Sequence, residues 1–457
     1  MTQDVGDSPF GELPLSNPET SPRFFKGLWY ANQKQNDAFG WKYSGGLTTY
    51  PQQILPLAVY SREVGRTYFC YAGADANNRL ENTVCYFDHR RGTLSDPVVV
   101  LRRNTDDAHY QSTLAIAPDG HILIFCNSHG PGAELSADDP TFGKAYVLRS
   151  KRPHDLSGFD CVLEDLFSYS QVWPCEGGGL LWLHTRYEDM AGKTSRPLYW
   201  ASSADGKSWS KPRQLVKMGL GSYQISWARE GRVVTVFDYH PPEGGLNART
   251  NLYYLESWDG GETWNNASGK NVEVPLTEPA NSALVRDFAS EDLLVYIKDI
   301  AFDAAGNPHI LILTSSDCLS GPAGDPRWLV IGRLENGQWS WLPVCRVDHN
   351  YDHGSLWIRE DGIWEIIAPI GPGSQPYTTG GEIQRWESRD SGRKWACAAV
   401  LTPNPALQHT YVRKPLHGHP DFWCFWADGN ALEPSDVALY FANRAGVVTQ
   451  MESGESS

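Results

Sequence analysis

The feature that most limits how this chain can fold is a repeat. A strand-like run, a tight turn and a second strand-like run recur seven times along 457 residues. Copies read TYPQQILPLAVYSREVGRTYFCYAGAD from Thr49, HYQSTLAIAPDGHILIFCNSHG from His109 and SYSQVWPCEGGGLLWLHTRY from Ser168. They continue with SYQISWAREGRVVTVFDYH from Ser222 and YIKDIAFDAAGNPHILILTSSD from Tyr296. DHGSLWIREDGIWEIIAP from Asp352 and HTYVRKPLHGHPDFWCFWADG from His409 complete the set. A second hairpin follows each copy, so each repeat supplies four strands. One such sheet cannot cover both of its own faces, and packing the copies around an axis solves this. The prediction is an all-β, single-domain, seven-bladed β-propeller. The alternative is six blades plus an insertion.

The second hairpins carry a signature of their own. Ser257–Trp264 and Ser388–Trp395 match S-x-D-x-G-x-x-W in full, and Ser203–Trp209 is a shortened version. This is the Asp-box, the sialidase-type turn. Its Asp bonds turn backbone, its Gly permits the turn and its Trp packs between sheets. It specifies architecture rather than chemistry. The propeller is predicted to span residues 24–450, with residues 24–48 adding a strand that closes the ring against the last blade. Residues 1–23 and 451–457 read as disordered ends.

Composition narrows the partners. The net charge of -15 repels nucleic acid and anionic membranes, so neither is expected. No apolar run is long enough to span a bilayer. The 18 tryptophans suit β-structure and sugar-stacking surfaces. Nine cysteines are scattered without C-x-x-C spacing, which argues against a cysteine zinc site. The N-terminus has no basic and apolar signal pattern.

In a propeller, the open ends of the innermost hairpins share one face, the usual pocket. The hairpin from His109 turns at Pro118-Asp119-Gly120. Treated as a three-residue loop, it pairs Ala117 with His121. His109 then faces His129, with Cβ atoms about 5 Å apart. Polar residues that merely end two strands would be placed the same way. His121, at the far turn, reads as surface. Other blades bring His184, Arg186 and Tyr187, then Asp238, Tyr239, His240 and Arg249, to the same level. Tyr296, Lys298 and Asp299 follow, then Asp352, His353, His409 and Arg413. Arg186 and Arg249 are the informative ones, since a guanidinium pairs bidentately with a carboxylate ligand.

Asp-boxes first suggest sialidases, but TYPQQILPL has no arginine where those enzymes carry one. With seven hairpin repeats and H-x19-H in the second, the chain resembles the seven-bladed propeller polysaccharide lyases. These are the ulvan lyases and, closer, the lyases that release L-rhamnose from rhamnosyl-α-1,4-glucuronate ends of gum arabic arabinogalactan. The resemblance implies β-elimination on an acidic polysaccharide or oligosaccharide. It implies His129 as principal base, His109 as its partner and a uronate ligand, and Tyr296 assisting, with Tyr239 and Tyr187 as rivals. Arg186 and Arg249 would hold the carboxylate, with Tyr239 also binding substrate. No metal or cofactor is required, and a structural calcium ion in the central channel is the one ion the resemblance allows. A monomer is expected. The substrate class suggests secretion, and a cytoplasmic location stays open without a visible signal. Two other readings remain, a sialidase-like glycoside hydrolase and a non-catalytic glycan-binding propeller.

Overall fold

The computed structural model describes residues 25–130, 141, 143–190, 192–335 and 337–452. It is a seven-bladed propeller. Blade 1 covers residues 58–102, blade 2 112–165, blade 3 168–216 and blade 4 224–286. Blades 5, 6 and 7 cover 294–347, 355–400 and 408–450. Each is an antiparallel sheet whose strands follow one another in sequence, and blade 1 carries a short fifth strand, Thr93–Leu94. Strands with apolar residues on both faces lie between neighbouring blades, which is why runs such as Pro308–Ser315 are buried throughout. No helix among the described residues is long and apolar enough to cross a membrane. All nine cysteines are free thiols, and only Cys397 is exposed.

The Asp-boxes are built as their composition requires. Ser257 Oγ accepts the Gly261 N–H at 2.8 Å and Asp259 Oδ1 accepts the Thr263 N–H at 2.9 Å. Ser388 and Asp390 repeat the pattern with Gly392 and Lys394, at 2.9 and 2.8 Å. Trp264 is buried against the Trp200 ring.

The start of the chain departs from expectation. Residues 24–48 add no strand to blade 7, whose four strands all come from 408–450. Gly27 instead bonds Val437 O and Leu28 bonds Ala72 O, so this stretch crosses the seam between blades 7 and 1. Tyr30–Lys34 and Trp41–Gly45 then make a separate hairpin. The chain next dives into the channel. A 3-10 turn, Pro51–Gln53, touches the innermost strands of blades 3, 4, 5 and 7. Leu55 bonds Ser170 O at 3.0 Å and its own carbonyl accepts the Val172 N–H at 2.9 Å. The run from Thr49 therefore begins as a plug, and only Ala58–Ser61 is strand. Pro51 and Pro56 have no N–H to give to a ladder.

Of the predicted terminal segments 1–23 and 451–457, residues 1–23 and 453–457 lie outside the described residues. Met451 was placed in the tail, but it is buried and its N–H bonds Leu439 O at 2.8 Å, so the packed chain passes residue 450. The channel's unpartnered polar atoms include Gln52 Oε1, Gln53 Oε1 and both amide atoms of Gln111. Neutral amides of this kind suit ordered water.

Candidate active site

The register deduced from the Pro118-Asp119-Gly120 turn is the one observed. Pairs run from Ile116↔Ile122 to Ser112↔Cys126, and the Ala117 N–H bonds His121 O. Beyond Ser112 the strand gives way to a 3-10 turn, Ala108–Tyr110, capped by Asp107, whose Oδ1 accepts the His109 N–H at 3.0 Å. The turn rotates the two imidazoles into a parallel stack, with centroids 3.7 Å apart and planes 10° apart.

Asp107, which sequence reasoning passed over, joins the pair. Its Oδ1 is 2.5 Å from His109 Nδ1 and its Oδ2 is 2.6 Å from His129 Nδ1. Each Nδ1–H thus donates to the carboxylate, a tautomer assigned from the hydrogen bonds. That leaves both Nε2 atoms with free lone pairs. Burial pushes the Asp107 carboxyl up, but the two imidazoles outweigh it and hold the group well below the usual range. His109 is 4% exposed and His129 is 29% exposed, so one ring is inner and the other faces the pocket. Asp107, His109 and His129 also offer ligand-type atoms within 4.8 Å of one another. Both Nδ1 atoms are bonded to Asp107.

The His109 imidazole is held down to about 4, burial being the larger cause. Burial alone takes His409 to about 4 as well. A histidine ordinarily titrates near about 6.5 in the unfolded chain. The stability gained by keeping it neutral is complete above that value. It is lost as pH falls toward 4, because the unfolded chain takes up protons that the folded chain refuses. Each such histidine contributes a slope of roughly 1.4 kcal/mol per pH unit in that window. The melting temperature is therefore expected to fall steadily from pH 6.5 to 4, and a curve flat across this range in differential scanning calorimetry would contradict the buried neutral state.

Tyrosines and arginines surround the pair. Tyr30 OH lies 3.2 Å from His109 Nδ1, and the Tyr50 ring is 5.9 Å from His109. The Tyr187 ring meets His129 edge-on at 5.5 Å, and its hydroxyl donates to Tyr169 OH at 3.3 Å. Blade 3 makes an excursion here, the hairpin Glu188–Met190 and Lys193–Ser195. Its register, Glu188↔Ser195, puts Tyr187 opposite Arg196, whose guanidinium lies 5.1 Å from the Tyr187 ring. A Cβ on Gly221 would meet Arg196 O at 2.4 Å, so only glycine lets this arm approach. Arg249 is buried deeper, 4.6 Å from the Tyr296 ring and 4.9 Å from Tyr223, and donates to Tyr351 OH at 3.1 Å. Among the described residues, neither Arg196 nor Arg249 has a carboxylate partner. In a chain of net charge -15, this is a local cationic hollow.

Three expected site residues take other positions. Arg186 is ion-paired with Asp165 and its Nε donates to His184, so its fork is occupied. Tyr296 is buried beneath Arg249, where Asn350 donates to its hydroxyl at 3.3 Å, with no contact to the histidines. Tyr239 packs beside Gly219, apart from the tyrosine cluster. Deeper polar ends are structural. Lys298 donates to Asn350 O, Asp299 pairs with Lys414, and Asp352 accepts the Gly380 N–H. Residues adjoining the histidine pair line two cavities. One, of about 230 Å³, is lined by Ser128, Gly130, Ser168 and Tyr187. The other, of about 830 Å³, is lined by Trp29, Tyr30, Trp41 and Asp106.

A sequence profile described as "BNR repeat-containing family member" matches residues 66–344. An ulvan lyase from Nonlabens ulvanivorans is 24% identical over 329 residues, 66% of this chain and 66% of that protein. An ulvan lyase from Pseudoalteromonas sp. (strain PLSV) is 22% identical over 321 residues, 62% of this chain and 64% of that protein. The chain thus matches just under two thirds of these relatives' length. Among solved structures, a polysaccharide lyase described as an ulvan lyase superposes with a TM-score of 0.70 at 15% identity, covering 93% of this chain and 96% of that one. The same fit is found for its complex with -[GlcA(1-4)Rha3S]-. These structures share the fold.

Proposed function

This chain belongs to the BNR repeat-containing family, and from that premise we propose that it is a polysaccharide lyase acting on rhamnosyl-α-1,4-glucuronate linkages. The observation that carries the reading is the Asp107-bridged histidine pair, with free Nε2 atoms, beside two arginines without carboxylate partners. A uronate carboxylate entering this hollow would meet Arg196 first, with Arg249 behind it. Neutralising that carboxylate acidifies C5–H. His129 Nε2 takes the C5 proton, the C5–H electrons form the C4=C5 bond, and the C4–O4 bond breaks. The His129 imidazolium gives a proton, directly or relayed through the Tyr187 hydroxyl, to the glycosidic oxygen, which leaves as the anomeric hydroxyl of rhamnose. Asp107 stabilises the imidazolium in between and fixes the ring's tautomer. His109, inner and neutral, orients Asp107. Tyr187 replaces Tyr296 as the assisting tyrosine, and Arg196 replaces Arg186.

The hydrolase reading needs two available carboxylates. Asp107 is bound by the histidines, Asp165 by Arg186, and Glu188 by Lys217 and Tyr199. An ulvan-type reaction is the second reading, favoured by the two ulvan lyases among the relatives. Against a sulfated rhamnose, the larger cavity offers Asp106 and Asp436 against one lysine, Lys26. The substrate is thus an acidic polysaccharide or oligosaccharide carrying unsulfated rhamnose, met outside the cell by a monomer.

Incubation with gum arabic arabinogalactan and with ulvan tests this. The expected result is rhamnose release from the former with growth of the ultraviolet absorbance of a 4,5-unsaturated uronate. Rhamnose release without that absorbance would mean hydrolysis, and faster elimination on ulvan would reverse the substrate choice.

A further inference from the structure

On the opposite face of the ring, two more histidines stack. His89 follows the blade 1 strand Leu80–Asp88, and His419 lies in the turn between the blade 7 strands Gln408–Arg413 and Cys424–Gly429. Their ring centroids are 3.8 Å apart. Asp421 Oδ2 is 3.7 Å from His89 Nδ1 and 3.6 Å from His419 Nδ1. The His89 side chain is 5% exposed, yet its Nδ1 has no hydrogen-bond partner. Its other nitrogen, Nε2, lies 2.8 Å from Thr67 Oγ1. With Nε2–H donating to Thr67, Nδ1 presents a lone pair toward Asp421, and nothing among the described residues hydrogen-bonds to it.

We propose that His89, His419 and Asp421 form a site for one transition-metal dication of the zinc type, with water at the fourth position. Two imidazoles and a carboxylate are a donor set such ions favour, and three protein ligands plus water complete a tetrahedron. Ligand atoms around tetrahedral zinc lie about 3.3 Å apart, so closing the observed spacing takes a few tenths of an ångström. Thr67 supplies the outer hydrogen bond that fixes a ligating histidine. His419 Nδ1 accepts the Asp421 N–H at 3.2 Å, so His419 ligates either by giving up that contact or by turning Nε2 inward.

The position indicates what the ion would do. Blades 1 and 7 exchange no strand. They meet through the Tyr60 N–H to Leu416 O bond, the reciprocal Leu416 N–H to Ala58 O bond, and a cluster of Phe69, Phe87, Phe422 and Phe441. An ion held by His89 from one blade and His419 with Asp421 from the other fastens this seam. The site is independent of the proposed reaction.

Equilibrium dialysis of the EDTA-treated protein against zinc chloride counts the bound metal. It is done on a His129→Phe background, which removes the other histidine–aspartate cluster. One zinc per chain is expected, with the melting temperature raised by about 3 °C at a hundredfold excess over Kd. His419→Ala and Asp421→Asn, added singly, should lose both the zinc and the shift. Each of these two changes alone should leave turnover unchanged in the otherwise native chain, which shows that the variant folds. Absence of zinc from the His129→Phe protein overturns the proposal. So does an undiminished zinc count in Asp421→Asn, whose side chain is 59% exposed and tolerant of change.

Discussion

His129→Phe is expected to lower the turnover of rhamnose-capped arabinogalactan by about 10²–10⁴-fold while leaving the fold intact. The size follows from the role, since no other free imidazole nitrogen faces the pocket from as exposed a position. His109 Nε2 belongs to a ring that is 4% exposed, so it cannot reach a sugar C5 as His129 can. Phenylalanine keeps the stacked ring and the edge contact from Tyr187, and removes the base together with its hydrogen bond to Asp107. His129 is 29% exposed, so packing changes little. Steady-state rates with calorimetry on the same samples separate the outcomes. Full turnover by His129→Phe would end the assignment, and a large drop in melting temperature would move the residue into the structural class.

Arg196→Ala should lower kcat/KM by about 10²–10³-fold, with most of the loss in kcat. The arginine's task is to oppose charge that grows on the uronate as C5–H breaks, which is stronger in the transition state than in the bound ground state. Arg196→Lys should recover part of the rate, because the charge is kept and the fork is lost. Arg186→Ala is the contrast. Its guanidinium is already committed to Asp165, so its removal should leave kcat close to the parent value. Equal losses in the two alanine variants would mean that the excursion of blade 3 acts as a unit and that Arg196 has no special place in it.

Particular residues show what could be read before the fold was seen. His109 and His129 were legible because alternation and a Pro-Asp-Gly turn fix a register, and a register fixes who faces whom. The same arithmetic applied to Tyr187 and Arg196, but RYEDMAGKTSRP has no apolar alternation to announce a hairpin, and only Gly192 marks its turn. Arg186 draws attention instead because it stands in HTRY, an arginine between a histidine and a tyrosine at a strand end. Tyr296 stands at the start of the fifth copy, at the same pocket-facing level. Its burial is set by the plug of residues 46–57, and a non-local segment filling the channel leaves no trace in the local pattern around Tyr296. Asp107 sat unread in a polar run, where a carboxylate two residues before a histidine resembles any loop acid.

The site draws on chain that is far apart in sequence. Tyr30, Tyr43 and Tyr50 come from before the first blade, the histidines from the second, Arg196 from the third, Arg249 from the fourth and Tyr351 from the stretch leading into the sixth. A half-wound ring, however well its blades are stacked, would have no floor beneath the histidines. Catalytic output therefore reports completion of the circle. Under the proposed reaction, a nascent chain would stay silent until its last blade meets its first, so its activity would be switched on by its own closure.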